Sequence, residues 1–266
     1  MNFEDHAESN LIYKTLVGSH IYGTNIETSD YDFEGIFVEP KEVLFGVHNV
    51  GEVDFSTNKT SERNKSTDID YKLYAFKKFV TLCATKSNPN KLELLYVREN
   101  HIQFINKWGQ MLRDNRGLFV SKQAYGSFMN YAREQKRRME VKPKGSRLED
   151  YLKYGYVPKF AMHTIRLFME GIRLLTDGEI KLPLPERRQL LDIRLGKHTK
   201  DEILEMFDYW HERGEQARDR SDLPVRPDLK EVNKFMVDFY ELWFYGKKEL
   251  DLSDFKIRLQ GMVNEL

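Results

Sequence analysis

The chain has 266 residues, of which 40% are hydrophobic and 13% aromatic, enough apolar side chain for one large domain or two modest ones. Lys and Arg together number 42, as do Asp and Glu, so the formal net charge is zero. Bulk charge therefore gives no sign of a nucleic-acid binder, and any such contact needs a local basic patch.

The single cysteine, Cys83, excludes an internal disulfide, which is typical of a reducing compartment. The N-terminus lacks the apolar core of a signal peptide, and no apolar run approaches the roughly 20 residues of a membrane span. We therefore expect a soluble cytoplasmic protein that has no membrane partner.

The first strong pattern is an apolar run that ends in a Gly-Ser pair. Residues 11–17 (LIYKTLV) predict a strand, which runs directly into Gly18 and Ser19. The short segment that follows has space for about one helical turn before Gly23 ends it.

Three carboxylates recur at alternate positions along the next predicted strand, residues 31–38. Because side chains alternate between the faces of a strand, Asp30, Asp32 and Glu34 are expected on one face. A face with three carboxylates is not a core face, and two carboxylates there can share hard divalent cations.

A polar segment precedes the third predicted strand. Residues 56–67 contain no apolar side chain and predict a mobile loop, and residues 68–74 (DIDYKLY) then place Asp68 and Asp70 on one strand face.

Helical patterns dominate the rest of the chain. They cover residues 75–86, 88–95, 101–115, 121–139, 157–176, 186–195 and 199–218, with a last helix that starts at residue 228. The order predicts an α+β fold: a small mixed-sheet domain over residues 1–118, followed by an all-helical domain over residues 119–266.

A Gly-Ser turn and paired carboxylates are the parts that phosphoryl transfer needs. The turn at Gly18 and Ser19 can present backbone N–H groups and a hydroxyl to phosphates. Asp30 and Asp32 can bind Mg²⁺ or Mn²⁺, which neutralises the charge of the transferring group. Asp70 is the best candidate for a third carboxylate, although the pattern leaves Asp68 and Glu34 open as alternatives.

The string GSHIYGTNIETSDYDFEGIFV (residues 18–38) resembles the signature of the DNA polymerase β-type nucleotidyltransferase superfamily. Within it, NPNKLELL (88–95) and KFAMHTIRL (159–167) resemble predicted nucleotidyltransferases grouped with RNA-ligase-associated and phage-encoded members. The resemblance implies a polymerase β-like palm domain. It also implies transfer of a nucleoside monophosphate from an NTP to a hydroxyl, with two Mg²⁺ ions and pyrophosphate release.

The resemblance further implies roles for the three aspartates. Asp30 and Asp32 would bind both metals, whereas Asp70 would bind the catalytic metal and orient the acceptor hydroxyl.

A polar stripe on the predicted helix over residues 157–176 offers a second feature. Lys159, His163, Arg166 and Glu170 recur at helical spacing, so the first three can meet a triphosphate across a cleft. The alternative is a solvated helix face with one ion pair, from Arg166 to Glu170. Tyr22 is a candidate nucleotide contact, although a packed tyrosine is an equal alternative.

Two classes of function remain open. The leading hypothesis is an enzyme that binds ATP or another NTP and transfers its nucleotide to an RNA or tRNA end, or to a protein. The alternative is a non-catalytic nucleotide-binding or antitoxin-like module that retains the fold. Such modules commonly lose a carboxylate, which this sequence keeps. The sequence leaves the acceptor, the base preference and the oligomeric state undetermined.

Overall fold

A mixed sheet and a series of helices make up the computed structural model, which describes residues 2–55 and 70–246. The strands are β1 (Leu11–Leu16), β2 (Asp32–Phe37), β3 (Glu52–Asp54), β4 (Asp70–Ala75) and β5 (Ile102–Ile105). The helices are α1 (Phe3–Ser9), α2 (Ser19–Tyr22), α3 (Lys41–Leu44), α4 (Phe76–Ala84), α5 (Pro89–Leu94), α6 (Lys107–Asp114), α7 (Lys122–Glu140), α8 (Leu148–Tyr154), α9 (Pro158–Asp177), α10 (Arg187–Arg194), α11 (Lys200–Arg220) and α12 (Leu229–Tyr245). The predicted α+β fold class is confirmed.

The strand order of the sheet is β3-β4-β2-β1-β5. Strands β2 and β4 are parallel, and the other neighbouring pairs are antiparallel. Ile12, Ile36 and Leu73, from the three central strands, are almost completely buried, which places apolar side chains within the core around the sheet. The parallel register sets Asp32 opposite Asp70, so two of the predicted metal ligands start neighbouring strands.

The prediction of one helix over residues 101–115 is wrong. Residues Ile102–Ile105 form β5, which pairs with β1, and Asn106 then caps α6 by accepting hydrogen bonds from the N–H groups of Trp108 and Gly109. The β-branched isoleucines at both ends of the segment suit a strand. An Asn N-cap starts a new helix, so the capping residue separates the two elements.

Helix α9 is the centre of the helical part and packs against α7, α10 and α11. It begins with Pro158, whose fixed φ suits a first helical position, and ends at Gly178 in the left-handed conformation. Phe160, Ile165 and Met169 lie in its apolar core. The predicted capping box between Thr199 and Glu202 at the start of α11 is confirmed. The sequence analysis did not predict helix α8.

The chain divides into two compact units, Met1–Pro227 and Asp228–Leu266. In the second unit, Asp228 caps α12 by accepting a hydrogen bond from the Lys230 N–H group. The first unit includes both sides of residue 118, and the domain boundary there stays a prediction. The predicted 56–67 loop lies outside the described residues. None of the described helices is long and apolar enough to cross a membrane.

Candidate active site

The Gly-Ser turn joins β1 to the short helix α2. Gly18 has φ of +71° and Gly23 has φ of +66°, which are backbone conformations that residues with a Cβ rarely adopt. The Val17 N–H group donates to the Asp32 carbonyl at 3.0 Å. The turn that carries Ser19 is therefore fixed beside the start of β2.

A cleft of about 540 Å³ opens at this turn. The residues that line it are Gly18, Ser19, Ile26, Thr28, Ser29, Asp30, Asp32, Arg147, Asp150, Tyr154, Lys159, His163, Arg194 and Leu195. The structure thus brings together six of the residues predicted from the sequence: Gly18, Ser19, Asp30, Asp32, Lys159 and His163. Segments more than 100 residues apart in the chain form the two walls.

The carboxylates of Asp30 and Asp32 are exposed and lie on one wall of the cleft. Strand β2 begins at Asp32, so Asp30 precedes the strand and does not lie on it as predicted. Asp70 is the register partner of Asp32, and neighbouring strands lie about 4.8 Å apart. The side chain of Asp70 and the whole of Asp68 lie outside the described residues.

The predicted row of three carboxylates is divided in the structure, because Glu34 forms an ion pair with Lys91 of α5. Burial raises the pKa of Glu34, and the Lys91 charge opposes this shift. The Lys91 ammonium lies 4.0 Å from the ring centroid of Tyr74, a contact that also stabilises its position. Glu34 lines a smaller cavity of about 210 Å³, not the cleft.

The second wall of the cleft is mainly cationic. Arg147, Lys159 and Arg194 line it together with one carboxylate, Asp150, and Arg194 Nη2 donates to Ser29 Oγ at 3.1 Å. Burial lowers the pKa of Lys159, the charges of Arg147 and Arg194 lower it further, and the charges of Asp30 and Asp32 oppose this shift. Cations that repel one another in a partly buried cleft favour an anion between them. Sequence reasoning missed both arginines, because neither belongs to a periodic pattern.

His163 lies partly buried between the cleft and the smaller cavity. Burial, and then the charge of Arg166, holds the pKa of His163 well below its ordinary value. The ring is therefore neutral at neutral pH, so one ring nitrogen can donate a hydrogen bond and the other can accept one.

We expect His163 to make folding sensitive to acid. Below pH about 6.5 the unfolded chain protonates this histidine and the folded protein does not, so unfolding becomes easier by up to about 1.4 kcal/mol per pH unit. Denaturant unfolding of wild type and His163→Gln between pH 7.5 and 5.5 measures the effect. The wild type should lose stability relative to the variant as the pH falls, and parallel curves would contradict the assignment.

Tyr22 and Arg166 lie behind the cleft in a buried polar network. The Arg166 guanidinium is 1% exposed, and its Nη1 donates to Glu93 at 2.7 Å and to Glu170 at 2.6 Å. It lies 3.8 Å from the ring centroid of Tyr22, whose hydroxyl donates to Glu93. This network ties α2 to α5 and α9. The polar stripe on α9 is therefore not a solvated face, because Arg166 and Glu170 form buried ion pairs within the protein.

Tyr22 and Arg166 line the smaller cavity and are not among the lining residues of the cleft. Their predicted contacts with nucleotide stay predictions. Among the residues that the structure describes, no group of three or more His, Cys, Asp or Glu side chains is arranged to hold a metal ion.

Comparison with known proteins identifies the family. The model of the RlaP family, described as the RNA repair pathway DNA polymerase beta family, matches residues 1–238. The chain belongs to this family. Membership confirms the superfamily predicted from the Gly-Ser and aspartate motif, and it supports nucleotidyl transfer as the class of activity.

A curated relative comes from a phage. The uncharacterized 38.9 kDa protein of the nrdC-mobD intergenic region of Enterobacteria phage T4 is 36% identical to this chain over 142 residues. The match covers 52% of this chain and 40% of that protein, so the chain spans about two fifths of the relative's length.

Two solved structures are also similar. A nucleotidyltransferase-like protein from Exiguobacterium sibiricum 255-15 is 11% identical, with a TM-score of 0.30 over 99% of this chain and 87% of its own. Spectinomycin adenyltransferase AAD(9) from Enterococcus faecialis, crystallised with ATP and spectinomycin, is 14% identical, with a TM-score of 0.36 over 79% of this chain and 94% of its own. The family assignment rests on the family model, not on these low scores.

Proposed function

We propose that the protein is a metal-dependent nucleotidyltransferase, which moves a nucleoside monophosphate from an NTP to an acceptor hydroxyl and releases pyrophosphate. One observation supports the proposal: the Gly18-Ser19 turn, the Asp30 and Asp32 carboxylates and three cations line the same cleft. An NTP bound there meets carboxylates suited to a metal on one side and cations suited to its phosphates on the other.

The turn and the cationic wall bind the triphosphate in this proposal. Ser19 offers its hydroxyl and backbone N–H group to phosphate oxygens. Lys159 and the two arginines neutralise the charge that builds up as pyrophosphate leaves. Arg194 is fixed by its hydrogen bond to Ser29, so little ordering is needed when the nucleotide binds.

The donor set fits Mg²⁺ or Mn²⁺, because both ions prefer oxygen ligands and both aspartates are exposed to the cleft. Asp30 and Asp32 would hold the metal, with Asp70 as the third ligand and the residue that orients the acceptor hydroxyl. A bound divalent ion would supply charge neutralisation at the transferring phosphoryl group.

RNA is the acceptor class that we favour, because the family is described as part of an RNA repair pathway. A tRNA end belongs to the same chemical class, and a protein hydroxyl is the other acceptor considered. We place the reaction in the cytoplasm.

Transfer of label tests the proposal directly. The protein is incubated with each α-³²P-labelled NTP, Mg²⁺ or Mn²⁺, and RNA or protein acceptors. Labelled acceptor and an equal amount of pyrophosphate are expected. NTP binding without either product would overturn the enzyme assignment in favour of a non-catalytic nucleotide-binding module.

We expect Lys159→Met to raise the KM for NTP by about 10- to 100-fold, because one charge-assisted contact with phosphate contributes about 1.5–3 kcal/mol. Lys77→Met is the matched control, since Lys77 is an exposed lysine on α4 that does not line the cleft. Steady-state kinetics over a range of NTP concentrations measures both variants. Equal KM values would remove Lys159 from the triphosphate site.

A further inference from the structure

A second basic groove, of about 300 Å³, shares no lining residue with the cleft. Its charged and aromatic lining residues are Tyr96, Arg98, Arg113, Arg116, Glu179 and Lys181. Four cations and one carboxylate line the groove, and Lys181 pairs with Asp177 and Glu179, so the positive charge of the groove comes mainly from its three arginines. Such a local concentration of charge attracts a polyanion.

Two of the arginines are held in place by backbone carbonyls. Arg113 Nη2 donates to the Val97 carbonyl at 2.7 Å, and Arg116 Nη1 donates to the Arg113 carbonyl at 2.9 Å. Within the described part of the chain, Arg98, Arg113 and Arg116 form no ion pair with a carboxylate, whereas Lys181 pairs with Asp177 and Glu179. The groove therefore presents fixed positive charge, which costs little ordering when a ligand binds.

An aromatic side chain accompanies these charges. The Arg116 guanidinium lies 5.2 Å from the ring centroid of Tyr96. Single-stranded nucleic acids are bound by grooves that combine cations for the backbone with aromatic rings on which bases stack. The groove provides cations from its arginines and an aromatic ring from Tyr96.

One lining residue of the groove lies near the end of α2. Pro183, which lines the groove, packs so closely on Gly23 that a methyl group there would lie 3.2 Å from the Pro183 Cβ. Gly23 ends the one-turn helix that starts at Ser19 in the cleft. On an α-helix, four residues span about 6 Å, so Pro183 lies near the turn that lines the cleft.

Further groups with nucleic-acid-binding chemistry extend from the cleft toward Arg98. The ring of His20 stacks on the exposed ring of Tyr31 at 4.2 Å, beside Asp30 and Asp32. Burial, and then the charges of His20 and Arg98, lower the pKa of His101, so the three residues lie close together.

We propose that this groove binds the backbone phosphates of a single-stranded RNA acceptor whose terminal hydroxyl lies in the cleft. The inference rests on the proposed nucleotidyl transfer and adds the path of the acceptor. Arg98, Arg113, Arg116 and Lys181 contact phosphates, and Tyr96 stacks on a base. Electrostatic contacts of this kind are independent of RNA sequence.

Charge reversal of the two exposed cations in the groove tests the inference. We compare R98E/K181E with the control K86E/R133E, which changes the net charge equally at exposed positions that line neither the groove nor the cleft. Binding of a 12-nucleotide RNA to the full chain is measured by fluorescence anisotropy at several salt concentrations, without NTP or metal. Thermal unfolding verifies folding, and R98Q/K181Q replaces the reversal if that variant does not fold.

R98E/K181E is expected to bind RNA at least about 10-fold more weakly than the control. The slope of log K against log salt should fall by about 1.4, because each phosphate contact with a single strand contributes about 0.7. Equal affinity and slope in the two variants would overturn the inference. Preferential binding of a poly-glutamate peptide over RNA would also overturn it, since the groove would then suit an acidic protein.

The outcome can be separated from the proposed function. RNA binding is measured without NTP, so an unchanged RNA affinity in R98E/K181E together with normal label transfer refutes only the groove. Absence of label transfer on any acceptor, with a clear loss of RNA affinity in R98E/K181E, refutes only the enzyme assignment.

Discussion

Replacement of Asp30 and Asp32 by Asn is expected to reduce nucleotide transfer by at least about 10³-fold. The amides keep the size of the side chains and remove the two negative charges that a divalent ion needs, so transition-state charge loses its stabilisation. Single-turnover transfer of labelled nucleotide at saturating NTP measures the loss. Affinity for NTP without metal should change little, because the cations on the opposite wall remain.

Glu27→Gln is the matched control for these substitutions. Glu27 is an exposed carboxylate in the same segment between α2 and β2, and it does not line the cleft. Its replacement should leave transfer within about twofold of wild type, as is usual for surface changes away from a site. Normal transfer by the double Asp variant would show that the chemistry lies elsewhere.

Arg166→Ala is expected to lower the free energy of unfolding by about 3–5 kcal/mol, because it leaves the Glu93 and Glu170 carboxylates buried without their cation. Both carboxylates are almost completely buried. Urea unfolding monitored by circular dichroism at neutral pH measures the change. Arg166→Lys should restore part of the stability, since a single ammonium can still face both carboxylates.

The control for this prediction is Arg137→Ala, which removes an exposed ion pair with Glu134 on α7. Exposed pairs contribute about 0–1 kcal/mol, so this variant should remain near wild type. A small effect of Arg166→Ala on stability, combined with a large rise in the Kd for NTP, would contradict the structural assignment. It would support the predicted contact between Arg166 and the triphosphate.

The first motif was predictable because its information is local. A predicted strand followed by Gly18 and Ser19, and then Asp30 and Asp32 one residue apart, has a specific spacing, and all four residues line one cleft. Strand β5 was missed for the opposite reason. Its four residues are too few to show a period, and they become a strand by pairing with β1 across more than 80 residues of chain.

The second wall of the cleft depends on long-range packing, which the sequence does not display. Arg194 donates a hydrogen bond to Ser29, 165 residues away in the chain. Lys91 pairs with Glu34, 57 residues away, so Glu34 does not line the cleft with Asp30 and Asp32. The polar stripe on α9 could be predicted because its residues recur at helical spacing in the sequence. The burial of Arg166 could not be predicted, because it depends on the contact with Glu93 of α5. Helical period fixes which residues share a face, and tertiary packing decides what that face contacts.

A structure of the protein with Mg²⁺ and a non-hydrolysable NTP analogue tests the central claim most directly. We expect the triphosphate against Ser19 and Lys159, with metal held by Asp30, Asp32 and Asp70. The observed metal ligands would also show whether Asp70, Asp68 or Glu34 is the third carboxylate. An analogue bound outside the cleft, or within it without contact between metal and either Asp30 or Asp32, would contradict the proposed function.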